Sequence, residues 1–184
     1  NAIQPDVLKK SEARQAIDNE VINKKTEIDN NVDATIEEKE AAKSKVDEAA
    51  VEAKNNINHT EINQAVDKAK EDGVTTVSHI QPNIVKKIAA KTAIDEVARI
   101  KKEAIDQTPG ATTEEKEAAK SKVDEAATEA RNNINRALSN NDVDQVVHNS
   151  TASINNIQPD IVKKEQAKRG IDTQAKIKKA IIDQ

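Results

Sequence analysis

The stretch EEKEAAKSKVDEAA at Glu37–Ala50 occurs a second time, without a change, at Glu114–Ala127. The two copies lie 77 residues apart. The shorter motif IQP, which begins at Ile3, Ile80 and Ile157, repeats twice with the same spacing. A fixed period of this length is typical of proteins built from repeated units, each forming one supersecondary structure. The chain of 184 residues therefore contains two full units and the beginning of a third.

The period also predicts the domain organisation and the fold class. We place the first unit at residues 3–79, the second at residues 80–156, and the first helix of a third at residues 157–184. Apolar residues recur every three or four positions in three segments of each unit, which indicates an all-α fold of tandem three-helix bundles. Since an odd number of helices ends far from where it began, we expect bundles stacked end to end into an elongated rod. The junction has no Gly/Ser spacer, which favours a stiff joint.

The second helix of each unit has the clearest pattern. Thr35 and Thr112 each precede a glutamate by three positions, as in a capping box. The predicted seams, rich in small residues that let helices approach closely, are Ala42, Val46, Ala49, Ala53 and Ile57 in the first unit and Ala119, Val123, Ala126, Ala130 and Ile134 in the second.

The first helix also shows one apolar stripe per unit. Its predicted members are Ile17, Val21 and Ile28 in the first unit and Val85, Ile88, Ile94, Ala98 and Ile105 in the second. Opposite charges one turn apart predict ion pairs along the helix. These pairs are Glu20–Lys24, Asp95–Arg99 and Glu165–Arg169.

The third segment is open to two interpretations, one bent helix or a helix followed by a turn. The predicted seam is Ile62, Val66, Ala69, Val77 and Ile80. Gly73 lies in this seam, and its counterpart one period later is Ser150, so we expect no geometric need for glycine. The polar cluster Asn140–Asp142 predicts that the third helix of the second unit begins later than that of the first.

The IQP motif predicts how each unit begins. Pro82 suits the first position of a helix, Gln81 would be its cap, and Ile80 with Val85 has the spacing of a hydrophobic staple. The equivalents around Ile157, Pro159 and Val162 and around Ile3, Pro5 and Leu8 repeat this geometry, and Asp6 and Asp160 would add a negative charge to the first turn. The predicted structural junction therefore consists of Ile80, Gln81, Pro82, Val85, Ile157, Pro159 and Val162.

Composition excludes several function classes. The sequence has no Phe, Tyr, Trp, Met or Cys, and its net charge is −4. Aromatic stacking platforms and a basic surface for nucleic acid are therefore absent, as are disulfides and thiolate sites. The three histidines, His59, His79 and His148, have no partner at metal-binding helical spacing, so solvated side chains are favoured over a metal or pH site. Glutamate pairs are better explained by capping than by acid–base chemistry. We predict no enzyme, no catalytic residue, no cofactor and no metal.

Lysine pairs recur once per unit, at Lys9–Lys10, Lys86–Lys87 and Lys163–Lys164. They suggest either a periodic basic ladder for an anionic wall polymer or, more simply, a solvated helix face. The Asn-rich ends at Asn55–Asn56 and Asn132–Asn133 are interpreted as helix C-terminal residues, with a ligand role as the alternative. No apolar run is long enough to cross a bilayer. We expect a monomer whose partners are neighbouring repeats of the same chain, and we leave host extracellular proteins or wall polymer open.

The IQP start, the TIEEKE and TTEEKE starts of the second helix at Thr35 and Thr112, and the closing NNIN at Asn55–Asn58 and Asn132–Asn135 together resemble a known repeat. It is the helical repeat of unknown function found in tandem arrays of staphylococcal cell-wall-anchored surface proteins of the SasC and FmtB types, related to the Ebh arrays. The resemblance implies an extracellular, wall-anchored parent with a distal adhesive region. It supplies no catalytic or ligand-binding residues.

Together these features favour a structural stalk that projects an adhesive domain from the cell wall. The alternatives are a ligand-binding module for host matrix or serum proteins, and homophilic adhesion between rods as in biofilm accumulation. Binding interfaces usually have aromatic anchor residues, and this chain has no aromatic residue.

Overall fold

The computed structural model describes residues 7–183, and this part of the chain contains helices and connections but no strand. The helices are α1 (Val7–Asp29), α2 (Ile36–Asn58), α3 (Asn63–Ser78), α4 (Lys86–Asp106), α5 (Thr113–Arg136), α6 (Asn140–Asn155) and α7 (Lys163–Ile182). The predicted all-α class is confirmed. Within the described residues, no helix combines the length and the apolar character that crossing a bilayer requires.

The chain divides into two compact units. Unit 1 comprises residues 1–87 with Leu138–Asn140, and unit 2 comprises residues 88–137 and 141–184. The predicted boundaries at residues 79 and 156 stay a prediction, because a division by contacts does not identify where a folding unit begins.

The core of unit 1 consists of aliphatic side chains from α1, α2 and α3. One cluster contains Ala13, Ile17, Ala50, Ala53, Ile57 and Val66. A second contains Ile28, Ala42, Val46 and Val77. Half-buried Val21 packs against both clusters. The core is therefore a thin column that follows the helices, as expected when alanine and β-branched residues replace aromatic ones.

The core of unit 2 has the same register but forms one cluster. It contains Ala90, Ile94, Ala98, Ile105, Ala119, Val123, Ala127, Ala130, Ile134, Ala137, Val143 and Ile154. Ala98, the counterpart of Val21, is buried at 4% exposure and makes the column continuous.

Several predicted seam positions are wrong by one helical position or by a whole face. The predicted seam residues Ala49 and Ala126 are half-buried and pack against the core, but the fully buried residues at this level are Ala50 and Ala127. At 100° per residue, the line through Val46, Ala53 and Ile57 passes nearer to Ala50 than to Ala49. The predicted seam residues Ile62, Val85 and Ile88 are exposed at 46%, 54% and 58%.

The predicted ion pairs along single helices are also wrong. Lys24 pairs with Glu27, Arg99 with Glu96 and Glu103, and Glu165 with Lys168. Asp95, which was predicted to pair with Arg99, instead pairs with Arg131 of α5, and its Oδ1 lies 2.6 Å from Arg131 Nη2.

A set of cross-helix ion pairs recurs with the period. Between α1 and α2 the pairs are Asp18–Lys54, Lys25–Asp47 and Asp29–Lys43. Between α4 and α5 they are Asp95–Arg131, Lys102–Asp124 and Asp106–Lys120. Each exposed pair stabilises the fold little, but the shared order of signs favours one register of the two helices over others.

The third helix is a single continuous helix in both units. α3 begins at Asn63 and α6 at Asn140, one period apart, so the prediction of a later start in unit 2 is wrong. Gly73 is needed after all. A Cβ atom added there would lie 2.6 Å from Ala53 Cβ and 2.8 Å from Ile17 Cδ1.

Candidate functional site: carboxylates that cap two helices

The predicted junction motif does not begin a helix. Residues 80–85 and 157–162 are non-helical, and α4 and α7 begin only at Lys86 and Lys163. Pro82 and Pro159 are buried in these segments, so the prediction that they occupy the first helical position is wrong. A residue before proline disfavours the α region, which suits an extended approach to the helix.

The other parts of the predicted junction are corrected with it. Gln81 does not cap α4, because its Nε2 donates to Glu27 Oε1 at 3.0 Å. Ile80 and Val85 do not form a staple, since Val85 precedes the helix and is exposed. The same holds in unit 2 for Ile157 and Val162, the latter being the N-cap residue of α7 without a side-chain cap bond.

The predicted first-turn acid in unit 2 is also displaced. Asp160 lies in the extended segment and its carboxylate is 3.5 Å from Lys122 Nζ. The first-turn predictions at Ile3, Pro5 and Asp6 fall outside the described residues.

The side chain that does cap the start of α4 is Glu38, on the first turn of α2. Its Oε2 accepts a hydrogen bond from the Thr35 backbone N–H at 2.9 Å, which completes the predicted capping box. Its Oε1 accepts two more, from the backbone N–H groups of Val85 and Lys86, both at 2.9 Å. One carboxylate therefore caps the N-termini of two helices.

Glu115 repeats this geometry in unit 2. Its Oε2 accepts from the Thr112 N–H at 2.8 Å. Its Oε1 accepts from the N–H groups of Val162 and Lys163 at 2.8 and 2.9 Å. The contact recurs one period later with the same atoms, which makes it a property of the repeat.

The first N–H groups of a helix have no partner within that helix. Glu38 and Glu115 supply an anionic acceptor where the helix dipole favours negative charge. This arrangement explains why α4 and α7 begin where they do, and not at the prolines. It orders backbone, since each carboxylate accepts hydrogen bonds from three backbone N–H groups.

Both carboxyl groups have lowered pKa values. Burial opposes ionisation of Glu38, but the backbone N–H groups of Lys86, Thr35 and Val85 outweigh it, so its pKa lies below the ordinary value. The N–H groups of Lys163, Thr112 and Val162 lower the pKa of Glu115 to about 2. Both groups are therefore ionised at neutral pH, as the cap requires.

Sequence reasoning found the capping box but missed its second half. The motif around Thr35 and Glu38 does not itself show that the second oxygen of Glu38 will accept hydrogen bonds from backbone N–H groups. Those groups belong to a segment that begins 47 residues later in the chain. The available signal was the exact repetition of TxEE and IQP at one spacing, which indicates that both motifs belong to one contact.

The histidines and the first lysine pairs contact their own chain. His59 and His79 end α2 and α3, and each has Nδ1 2.7 Å from a backbone carbonyl oxygen one turn earlier. Lys10 Nζ donates to Asn58 O at 2.9 Å, and Lys87 Nζ donates to Val32 O at 3.0 Å. These lysines do not form an exposed row. Among residues 7–183, no group of three His, Cys, Asp or Glu side chains is placed to hold a metal ion.

Lys24 and Lys101 are buried, one period apart, and the pattern did not predict their burial. Lys101 Nζ donates to Asn155 O, the last residue of α6, at 2.7 Å. Its charge is therefore placed at a helix C-terminus, where the dipole favours a cation.

Comparison with known proteins identifies relatives. The chain is 30% identical over 159 residues to the extracellular matrix-binding protein EbhA of Staphylococcus aureus strain Newman. This alignment covers 86% of this chain and 5% of that protein. It is 30% identical over 177 residues to the extracellular matrix-binding protein ebh of strain USA300 / TCH1516, covering 95% of this chain and 2% of that protein. The chain thus spans a small fraction of these relatives. No solved structure matches it.

A family model matches twice, at residues 9–85 and 86–162. Each match holds one TxEE motif and the IQP segment that follows it, so the carboxylate and the extended segment that it caps occur in both copies. The chain therefore belongs to the family of the Domain of Unknown Function DUF1542.

Proposed function

We propose that this chain is a non-enzymatic spacer, a piece of the stalk of a bacterial surface adhesin that holds a distal adhesive region away from the cell wall. The observation that carries the proposal is the double cap of Glu38, repeated at Glu115. A flexible tether would leave the backbone entering α4 and α7 solvated. The hydrogen bonds to Glu38 and Glu115 fix the backbone that leads into α4 and α7, and so reduce the conformational freedom of these two segments. A spacer that keeps a fixed length needs such stiffness.

The names of the relatives support a place for this chain in its parent protein. Those relatives are named as extracellular matrix-binding proteins of Staphylococcus aureus. We propose an extracellular location at the wall for the parent of this chain. We also propose that the chain resembles the stalk arrays of SasC- and FmtB-type surface proteins.

Small-angle X-ray scattering of the chain tests the spacer. A compact globule of this length has a radius of gyration of about 16 Å. Bundles stacked end to end would give roughly twice that, because helices of this length rise 1.5 Å per residue. A value near that of the globule would contradict the proposal. The double variant Glu38→Gln, Glu115→Gln is expected to broaden the distance distribution, and Glu114→Gln, whose side chain is exposed, is the matched control.

A second candidate is a ligand-binding module, favoured by the matrix-binding names of the relatives. Binding of a matrix or serum protein that saturates, and whose capacity doubles from one unit to two, would favour it over the spacer. Homophilic adhesion would instead appear as self-association that rises with protein concentration.

A further inference from the structure

One face of α7 has the composition of a core but lies in solvent. Every described residue of α7 is exposed, including Ile171 and Ile182 at 70% each. Together with Ala167 and Ala175 these side chains form one stripe along the helix, with spacings of four, four and seven residues.

The period identifies what such a stripe does elsewhere in the chain. One period earlier, its four positions are Ala90, Ile94, Ala98 and Ile105 of α4. All four are buried in unit 2 against α5 and α6, and Ile94 is 0% exposed. The stripe of α7 is therefore equivalent to a surface that a helix pair covers.

Charges on α7 give a second, independent sign of the same partner. In unit 2, Asp95, Lys102 and Asp106 of α4 pair with Arg131, Asp124 and Lys120 of α5. Unit 1 has pairs of the same signs between α1 and α2.

The counterparts on α7 are Asp172, Lys179 and Asp183, in the same order of signs. In the described part of the chain, none of these three side chains has a hydrogen-bond or ion-pair partner. A partner helix that runs antiparallel to α7 with basic, acidic and basic side chains would pair with all three.

We infer that this face of α7 is a docking surface for a two-helix segment with the sequence pattern of α5–α6. The alanine, valine and isoleucine seam of that segment covers the stripe, and its first helix pairs with Asp172, Lys179 and Asp183. A further repeat of the same pattern would supply such a segment. The inference does not depend on the proposed spacer function, since it concerns only which helices recognise each other.

Charge order argues against the simplest competitor, a second α7. In an antiparallel pair centred on α7, Asp172 would face Thr173 and Lys179 would face Gln166, so neither charge would meet an opposite charge. In a parallel pair each charge would face itself, and like charges directly opposed disfavour that arrangement. The α5 pattern is complementary at all three positions.

The test uses the 184-residue chain and a fluorescently labelled peptide of residues 111–157, which contains α5 and α6. Fluorescence anisotropy is expected to show saturable one-to-one binding, with a gain of helical signal in circular dichroism as the peptide folds on the surface. Absence of saturable binding would overturn the inference.

Two isoleucines of α7 provide the matched comparison. Ile171→Asp places a charge in the stripe and is expected to weaken binding about tenfold or more. Ile177→Asp makes the same change at a position whose counterpart, Ile100, is exposed, and should leave binding unchanged. If the peptide binds Ile171→Asp as well as it binds the original chain, it exchanges into another unit and the inference is wrong.

A charge exchange tests the register. Asp172→Arg is expected to weaken binding, and a peptide carrying Arg131→Asp should recover it. If Asp172→Arg weakens binding and the peptide with Arg131→Asp does not restore it, the occupant is not an α5–α6 segment. The same conclusion holds if the chain associates with itself through α7 and the peptide does not compete.

Discussion

Units 1 and 2 differ at one position of their third helices. At Gly73, unit 1 has no room for a Cβ atom beside Ala53 and Ile17. At the equivalent position unit 2 carries Ser150, a residue with a Cβ atom, on α6. The same position of the repeat therefore carries a buried residue without a Cβ atom in unit 1 and a half-buried serine in unit 2.

The cores differ in continuity as well. Unit 1 has two clusters joined through half-buried Val21, and unit 2 has one cluster continuous through Ala98. The capping carboxylates, by contrast, make the same contacts in both units. Side-chain packing in the core thus varies between the two units. The hydrogen bonds from Glu38 and Glu115 to the backbone at the starts of α4 and α7 do not vary.

The largest expected effect comes from a charge in a core. Ile94 is fully buried, so Ile94→Asp should destabilise unit 2 by about 4 kcal/mol or more through lost burial and an unpaired charge. Hydrogen exchange with mass spectrometry should show loss of protection in α4, α5 and α6 and retained protection in α1–α3. Ile100→Asp, at a position that is 52% exposed, is the control. Equal loss in both units would contradict the picture of units that are stabilised separately.

A medium effect should follow from making unit 1 like unit 2. Gly73→Ser should destabilise unit 1 by about 1–2 kcal/mol, because Ala53 Cβ is fixed to the backbone and cannot turn away. Thermal unfolding followed by circular dichroism measures it. The variant Ala53→Gly removes the clashing atom, so the double variant should lose less than the sum of the two single changes.

Ser150→Gly gives the reverse comparison. It should destabilise unit 2 by less than about 1 kcal/mol, through helix propensity alone. Stabilisation of unit 1 by Gly73→Ser would show that α3 is not held as close to α2 as the Cβ geometry indicates.

The smallest effect is expected at the contact that the units share. Because the pKa of Glu115 is about 2 in the folded chain, below its ordinary 4.5, the cap contributes its full stability above pH 4.5. That contribution is lost as pH falls from 4.5 towards 2. Glu115→Gln should therefore lower the melting temperature by a few degrees at pH 7 and remove part of the acid dependence in this window. Glu114→Gln should leave the acid dependence in place.

Hydrogen exchange of the Val162 and Lys163 amides measures the cap directly. Their protection should fall on acidification in the original chain, and in Glu115→Gln it should be lower than in the original chain at pH 7 and should not change with pH. Protection in the original chain that does not change with pH would mean that the carboxylate is not the acceptor.

The sequence predicted the number and order of helices well because their seams repeat with helical spacing. It predicted the capping boxes because these are local, within four residues of Thr35 and Thr112. It failed at Pro82 and Pro159, where local preference suits the first position of a helix but the acceptor for the backbone N–H groups lies on another helix. It failed at Gly73 for a related reason, since Ser150 in the aligned copy hides a requirement that depends on how closely α3 approaches Ala53.

The amino-acid sequence by itself determined that this protein is an array of helical units, because periodicity, capping motifs and the absence of aromatic residues are properties of the chain as written. Only the tertiary structure decided which residues end the connections and which charges meet. Those outcomes depend on side chains such as Glu38 and Arg131 reaching backbone and side-chain groups of other helices. Contacts of that kind are fixed by the packing of the seams, which sets the distances between helices, and not by the local preference of any segment.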